Sequence, residues 1–176
     1  TRSSAASDVY KRQALYIHGS IHKKVPHARC ILHVHSKYST ALASLEDPTL
    51  PPIDQNSMRF FNRVGVYSDF GGMGFEEEAA KMANKIGNKK VLMMSNHGVL
   101  TTGQTVAEAF DELYYFEKAC ENYITALSTN KKLKIVSDEV AEKTAQEWEN
   151  YSTGQKDLHL KAVRSILDKE DPSYKD

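Results

Sequence analysis

The sequence lacks what several functional classes require. Lys and Arg total 23 and Asp and Glu total 23, so the net charge is zero, and no basic stripe offers a nucleic-acid backbone or an anionic membrane a partner surface. No stretch approaches the ~20 consecutive apolar residues of a membrane span. There are only two cysteines, Cys30 in a strand-like run and Cys120 in a helix-like one, which is no disulfide framework. Reduced core thiols and a cytoplasmic location are the expectation. Internal repeats and low-complexity segments are missing as well. What remains, 176 residues with 40% hydrophobic content, is the composition of one globular domain.

The opening TRSSAASDVYKRQ carries neither a hydrophobic period nor helix signals, and its residues 3–13 resemble a translated sequencing-library adapter. Residues 1–13 are therefore expected to be non-native, and the domain to occupy 14–176 with its N-terminal part missing. Whatever targeting signal the gene carries is hidden by this start.

Beyond it, hydrophobic periods alternate between helix and strand. ALYIHGSIHKK (14–24) spaces Leu15, Ile17 and Ile21 as a helix that Pro26 ends, and RCILHVH (29–35) suits a buried strand. Ser36 is a candidate N-cap for a helix over 38–45. Residues 47–74, rich in Pro, Gly and Asp, read as loop with a short strand at RVGVY. FEEEAAKMANKIG (75–87) places acids in its first turn, lysines later and a closing glycine, which complements the helix dipole. A buried strand, VLMMS, then runs into Asn-His-Gly, where Gly98 permits a turn that delivers His97 at a strand end. In the long helix over 105–128, Val106, Phe110, Leu113, Phe116, Ala119 and Ile124 face the core and Glu108, Asp111 and Lys118 face solvent. Two more helices, near 137–150 and 156–168, precede a polar tail. This alternation predicts an α/β domain with helices covering a central mixed sheet.

His33 and His35 are the first candidates for chemistry, because residues i and i+2 of a strand share a face. With His97 from a distant turn they could form a three-imidazole zinc site with one position open to water or substrate. Spacing alone leaves a second reading, partly buried histidines bonded to backbone, which is narrowly preferred at that level. His18, His22, His27 and His159 take the backbone-bonded or packing reading.

HVHSKYSTALASL, SNHGVLTTGQTVAEAF and the following ACENY-type helix, in that order, resemble the class II aldolase/adducin family over nearly all of residues 14–176. LPPIDQNSMRFFNRVGVYSDFGG and the ending LDKEDPSYKD are similar to bacterial members of its adducin-like branch. The resemblance implies a three-layer α/β/α fold and a homotetramer with active sites between subunits. It implies that His33, His35 and His97 hold a divalent zinc ion, and that the protein is a lyase acting on a small hydroxy-carbonyl or sugar-phosphate substrate through a metal-stabilised enediolate. The resemblance also makes Tyr67 a candidate proton donor, since a tyrosine from this general region has that role in the sugar-phosphate aldolases, with packing at a loop edge as the competing reading. Adducins share the fold but serve as cytoskeletal scaffolds without the complete zinc-ligand set.

Two departures keep a non-catalytic, adducin-like scaffold as the alternative. The family's acidic zinc ligand and proton-transfer residue falls on Ala14, where no carboxylate stands. The family's phosphate-binding loops would lie upstream of the residues present. Asp54, Gln55 and Asn56 are further polar candidates, Asp54 more readily as a turn cap. Phe60, Phe61, Phe70, Tyr114, Tyr115 and Trp148 read as core or interface.

Overall fold

The computed structural model describes residues 15–69, 76–151 and 154–175. The expected adapter segment, Ala14 and Phe70 lie outside the described residues. Helix α1 (15–24) sets Ile17 and Ile21 one turn apart, both buried, and stops short of Pro26. There follow β1 (Cys30–Val34), α2 (Lys37–Ala43), α3 (Gln55–Arg59), β2 (Val64–Tyr67), α4 (Glu76–Ile86), β3 (Val91–Met94) and β4 (Gly98–Gly103). The chain continues through α5 (Val106–Ser128), α6 (Asp138–Tyr151), α7 (Gln155–Glu170) and a 3-10 turn at Pro172–Lys175.

The four strands form one mixed sheet in the order β1-β4-β3-β2. β4 runs antiparallel to both β1 and β3, and β3 runs parallel to β2. All four residues of β3 are buried because successive side chains enter two different cores. Leu92 and Met94 join Ile17 and Ile21 of α1 and Met82 and Ile86 of α4, whereas Val91 and Met93 join Leu42 of α2 and Phe116 and Cys120 of α5. Helices thus cover both faces, which is the expected α/β layering. Each large aliphatic side chain so buried stabilises the fold by roughly 1.5–3 kcal/mol.

Several local expectations hold and four are corrected, one of them that Val106 faces the core, since it is 59% exposed. The helix over 105–128 is α5, with Thr105 accepting a hydrogen bond from the Glu108 amide, and α4 closes at Gly87 with φ +53°. Within the expected loop over 47–74 lies α3. Its N-cap is Asp54, whose carboxylate accepts from the Ser57 amide while the Ser57 hydroxyl bonds back to the Asp54 amide. Five residues are too few for a hydrophobic period to register. The single strand expected after Lys90 is a hairpin of β3 and β4, turned by residues 95–97 with Asn96 at φ +55°. Asp111, expected to face solvent, is 5% exposed. Arg59 from α3 and His159 from α7 bind its carboxylate at 2.7 Å each, and neither neighbour is visible from the periodicity of α5 itself.

Both cysteines are free thiols. Among the described residues, no helix is long and apolar enough to cross a membrane.

Candidate functional site

The antiparallel placement of β4 brings the carboxyl ends of β1 and β3 to the same edge of the sheet, since β4 begins where both of them end. Val34 pairs with Val99 and Met94 with Gly98. His33 lies inside β1, opposite Leu100, and His35 stands just past the strand. His97 is delivered by the tight turn between β3 and β4.

Gly98 makes this convergence possible by close approach. A Cβ built there would lie 2.6 Å from the Val34 carbonyl oxygen and 2.8 Å from Cδ2 of His35. The left-handed backbone that the turn needs is supplied by Asn96, so glycine at 98 answers to crowding and not to its own dihedral.

The three rings are mutually edge-on, with centroids 4.9 Å apart for His33 and His35, 4.9 Å for His33 and His97, and 4.7 Å for His35 and His97. One potential ligand nitrogen from each lies within 4.8 Å of the others. Nδ1 of His33 is 3.0 Å from the Val99 carbonyl oxygen. A carbonyl only accepts, so that nitrogen carries the proton and Nε2 keeps its lone pair. The Nε2 atoms of His33 and His35 stand 3.1 Å apart. Two nitrogens bound tetrahedrally to zinc at 2.0–2.1 Å would be separated by about 3.3 Å.

Burial, opposed by the Val99 bond and reinforced by the neighbouring imidazoles, pulls His33 down to about 4, and burial together with His35 pulls His97 down to about 4. Both are neutral at pH 7, the form in which imidazole is a ligand. Three neutral nitrogen donors, one already oriented through its second nitrogen, fit a borderline-soft divalent cation such as zinc. No Asp, Glu or Cys joins this group among the described residues.

Tyr67 ends β2, in register with Met94, three residues before His97. It is 3% exposed, and its hydroxyl is buried with no hydrogen-bond partner among the described residues. Burial, with Glu78 and Asp69 adding to it, raises the phenol above its ordinary value, so it stays protonated at neutral pH. The polar candidates Asp54, Gln55 and Asn56 are not brought to the histidines. Asp54, Gln55 and Asn56 cap or begin α3, which packs on α5 and α6, and Asp54 also accepts from Asn122. His22 and His27 bond the carbonyls of Ala28 and Lys89, and His159 bonds Asp111.

One residue next to the site escaped sequence reasoning. Ser36 does occupy the N-cap of α2, but its hydroxyl makes no cap bond. The carboxylate of Glu117, from the middle of α5, replaces it, accepting from the amides of Tyr38 at 2.8 Å and Ser39 at 2.9 Å and from the Ser36 hydroxyl at 2.8 Å. Its partners lie about 80 positions away in sequence, so only an acid near the apolar stripe of a helix could have signalled it.

Residues 6–124 match the family model described as the class II aldolase and adducin N-terminal domain. The chain is similar to the crystal structure of an aldolase II superfamily protein from Pseudomonas syringae, at 29% identity and a TM-score of 0.83, covering 93% of this chain and 65% of that one. It is also similar to an L-fuculose 1-phosphate aldolase from Glaciozyma antarctica, at 26% identity and a TM-score of 0.73, covering 88% of this chain and 59% of that one. Human gamma-adducin is 32% identical over 112 residues, 63% of this chain and 16% of the adducin. The chain therefore spans less than two thirds of the length of each of these relatives. It belongs to the class II aldolase and adducin N-terminal domain family.

Proposed function

We propose, from the premise of that family membership, that this chain is the metal-binding core of a zinc-dependent aldolase-type lyase acting on a small hydroxy-carbonyl or sugar-phosphate substrate. The observation that carries the reading is the convergence of His33, His35 and His97 with their potential ligand atoms within 4.8 Å. These three residues would hold the metal. A divalent cation there supplies Lewis-acid stabilisation of negative charge developing on a carbonyl oxygen.

The protein's own groups account for the rest. The Val99 carbonyl fixes the tautomer of His33. His35 is exposed, so the cluster opens to solvent on its side and a small substrate has a route to it. The protonated, unpartnered phenol of Tyr67 is suited to donate a proton or hydrogen bond to a bound oxygen. The family relationship supports a homo-oligomer, a tetramer as first expectation.

A second reading, a binding or scaffold module like the adducins, has one specific observation in its favour. No carboxylate accompanies the three histidines among the described residues, which leaves the reaction without the acidic group that would move the substrate proton.

Zinc content per subunit of the natural chain, measured beside His33→Ala and His97→Ala, tests the proposal. About one zinc per subunit, lost in both variants, is expected, together with zinc-dependent cleavage of a hydroxy-carbonyl substrate that Tyr67→Phe slows. A correctly folded protein that takes up no metal would remove the lyase reading and leave the scaffold.

A further inference from the structure

We propose that Glu117 is a positioning residue for the histidine cluster, acting through α2 as a strut between the two turns that carry His35 and His97. The inference rests on the proposed metal site, although its geometry is independent of any metal. At one end of α2, the Glu117 carboxylate takes up the amides of Tyr38 and Ser39 and the hydroxyl of Ser36, the residue directly after His35. At the other end, the Ala43 carbonyl oxygen accepts from the Asn96 amide at 2.9 Å, one residue before His97.

The physical need for the carboxylate is clear from the helix. The first amides of α2 have no partner within the helix, and the N-cap side chain that usually takes one of them makes no cap bond. An anion at the positive end of the helix supplies both missing acceptors with charge-assisted bonds. It arrives on α5, the 23-residue helix that contributes Phe116, Ala119 and Cys120 to the core, so the strut is referenced to an element anchored in the core. Burial of Glu117 would raise its carboxyl, but the three hydrogen bonds outweigh this and hold it below its ordinary value.

If the strut is loosened, the backbone leaving β1 at His35 and the turn before His97 are freed relative to each other. His33, tied to Val99 within the sheet, is not affected. Three ligands must meet within a few tenths of an ångström of a tetrahedral arrangement, so loss of an outer support falls on metal affinity more than on folding. Such supports are typically worth about 10–100-fold in affinity.

The test compares Glu117→Gln with Glu108→Gln. Glu108 is another carboxylate of α5 that accepts from a backbone amide, at Gln104, and pairs with Lys90, but it serves the start of α5. Zinc affinity is read by competition with a chromophoric chelator. In the metal-free protein, imidazole nitrogen resonances of His33, His35 and His97 and amide exchange at Tyr38 and Ser39 are followed by NMR.

Glu117→Gln is expected to weaken zinc about 10–100-fold, to shift the His35 resonances while sparing His33, and to speed exchange at Tyr38 and Ser39. Glu108→Gln is expected to leave all of these unchanged even where it lowers the melting temperature as much. Ser36→Ala, which removes only one of the three bonds, should move the same readouts in the same direction by less.

Native His35 resonances in Glu117→Gln, or equal loss of affinity in the Glu108 variant, would overturn the positioning role. Should the native protein bind no zinc, the metal reading falls, and the His35 and exchange measurements still decide whether Glu117 sets the histidine geometry.

Discussion

The histidine cluster at the carboxyl edge of the sheet, open to solvent at His35, and the charged cluster between α3, α5 and α7, buried at Arg59, Asp111 and Glu112, complete their polar groups in opposite ways. In the second, Arg59 pairs with Asp111 at 2.7 Å and Glu112 at 3.0 Å, Lys156 pairs with Glu112 at 2.7 Å, and His159 bonds Asp111. Arg59 also lies over the rings of Tyr115 and Trp148. Every charge faces an opposite one, as buried charges must if the fold is to tolerate them. In the first, three imidazoles face one another with no compensating anion among the described residues. A network closed by opposite charges is structural; neutral ligand nitrogens gathered without an anion are suited to a cation.

That contrast can be broken first where the effect is largest. Removing Asp111 from the buried ion cluster leaves Arg59 with Glu112 alone and His159 without its partner, so Asp111→Ala should lower unfolding free energy by about 3 kcal/mol, the low end for breaking a buried pair, in urea titration without changing zinc stoichiometry. If the folded variant also lost metal, the two regions would not be separable.

For the histidines the expected effect runs through ligand linkage. Zinc at 100 times its dissociation constant should stabilise the native protein by about 2.7 kcal/mol, seen as a raised melting transition. His97→Ala should show no such rise. An equal rise in both would place the binding elsewhere.

Gly98→Ala comes next. Its Cβ would press on backbone at Val34 as well as on the His35 ring, and overpacking of this kind costs roughly 1–3 kcal/mol. Zinc affinity should fall with it, because the clash moves a ligand. An alanine variant with native affinity would show that the hairpin yields without disturbing the cluster.

The smallest effect is the acid limb of the stability curve. Glu117 and Glu108 are both held below 4.5 in the folded protein, each by hydrogen bonds that outweigh burial, with Lys90 contributing at Glu108. Their stabilisation is fully present above the unfolded carboxylate value and is lost as pH falls through the lower folded value. Glu117→Gln should therefore cost about 1 kcal/mol at neutral pH, the usual worth of a helix cap, and flatten the decline below pH 4.5. An unchanged acid limb would mean that other carboxylates carry it.

Much of the scaffold could be read from the chain because its signals are local. Ile17 with Ile21, the run VLMM and Gly87 behind α4 each announce an element within a few residues. The metal-ligand candidates were also legible, since His33 and His35 share a strand face by alternation and Gly98 marks a turn after His97. Less was visible where a short element or a distant partner decides. α3 has too few residues for a period, and Asp111 looks solvent-facing until α3 and α7 bring Arg59 and His159 to it.

The sequence by itself determined the alternation of helix and strand and the mixed α/β class, because propensity, period and turn chemistry act over a few residues, whereas spacing alone left His33, His35 and His97 open between ligands and backbone-bonded histidines until the family resemblance favoured ligands. Tertiary structure alone decided that β4 inserts between β1 and β3, that His97 thereby meets His33 and His35, and that Glu117 reaches back to hold the helix between their turns. Those outcomes depend on which faces find one another when two cores close on opposite sides of one sheet, and that is a property of packing, not of any local stretch of chain.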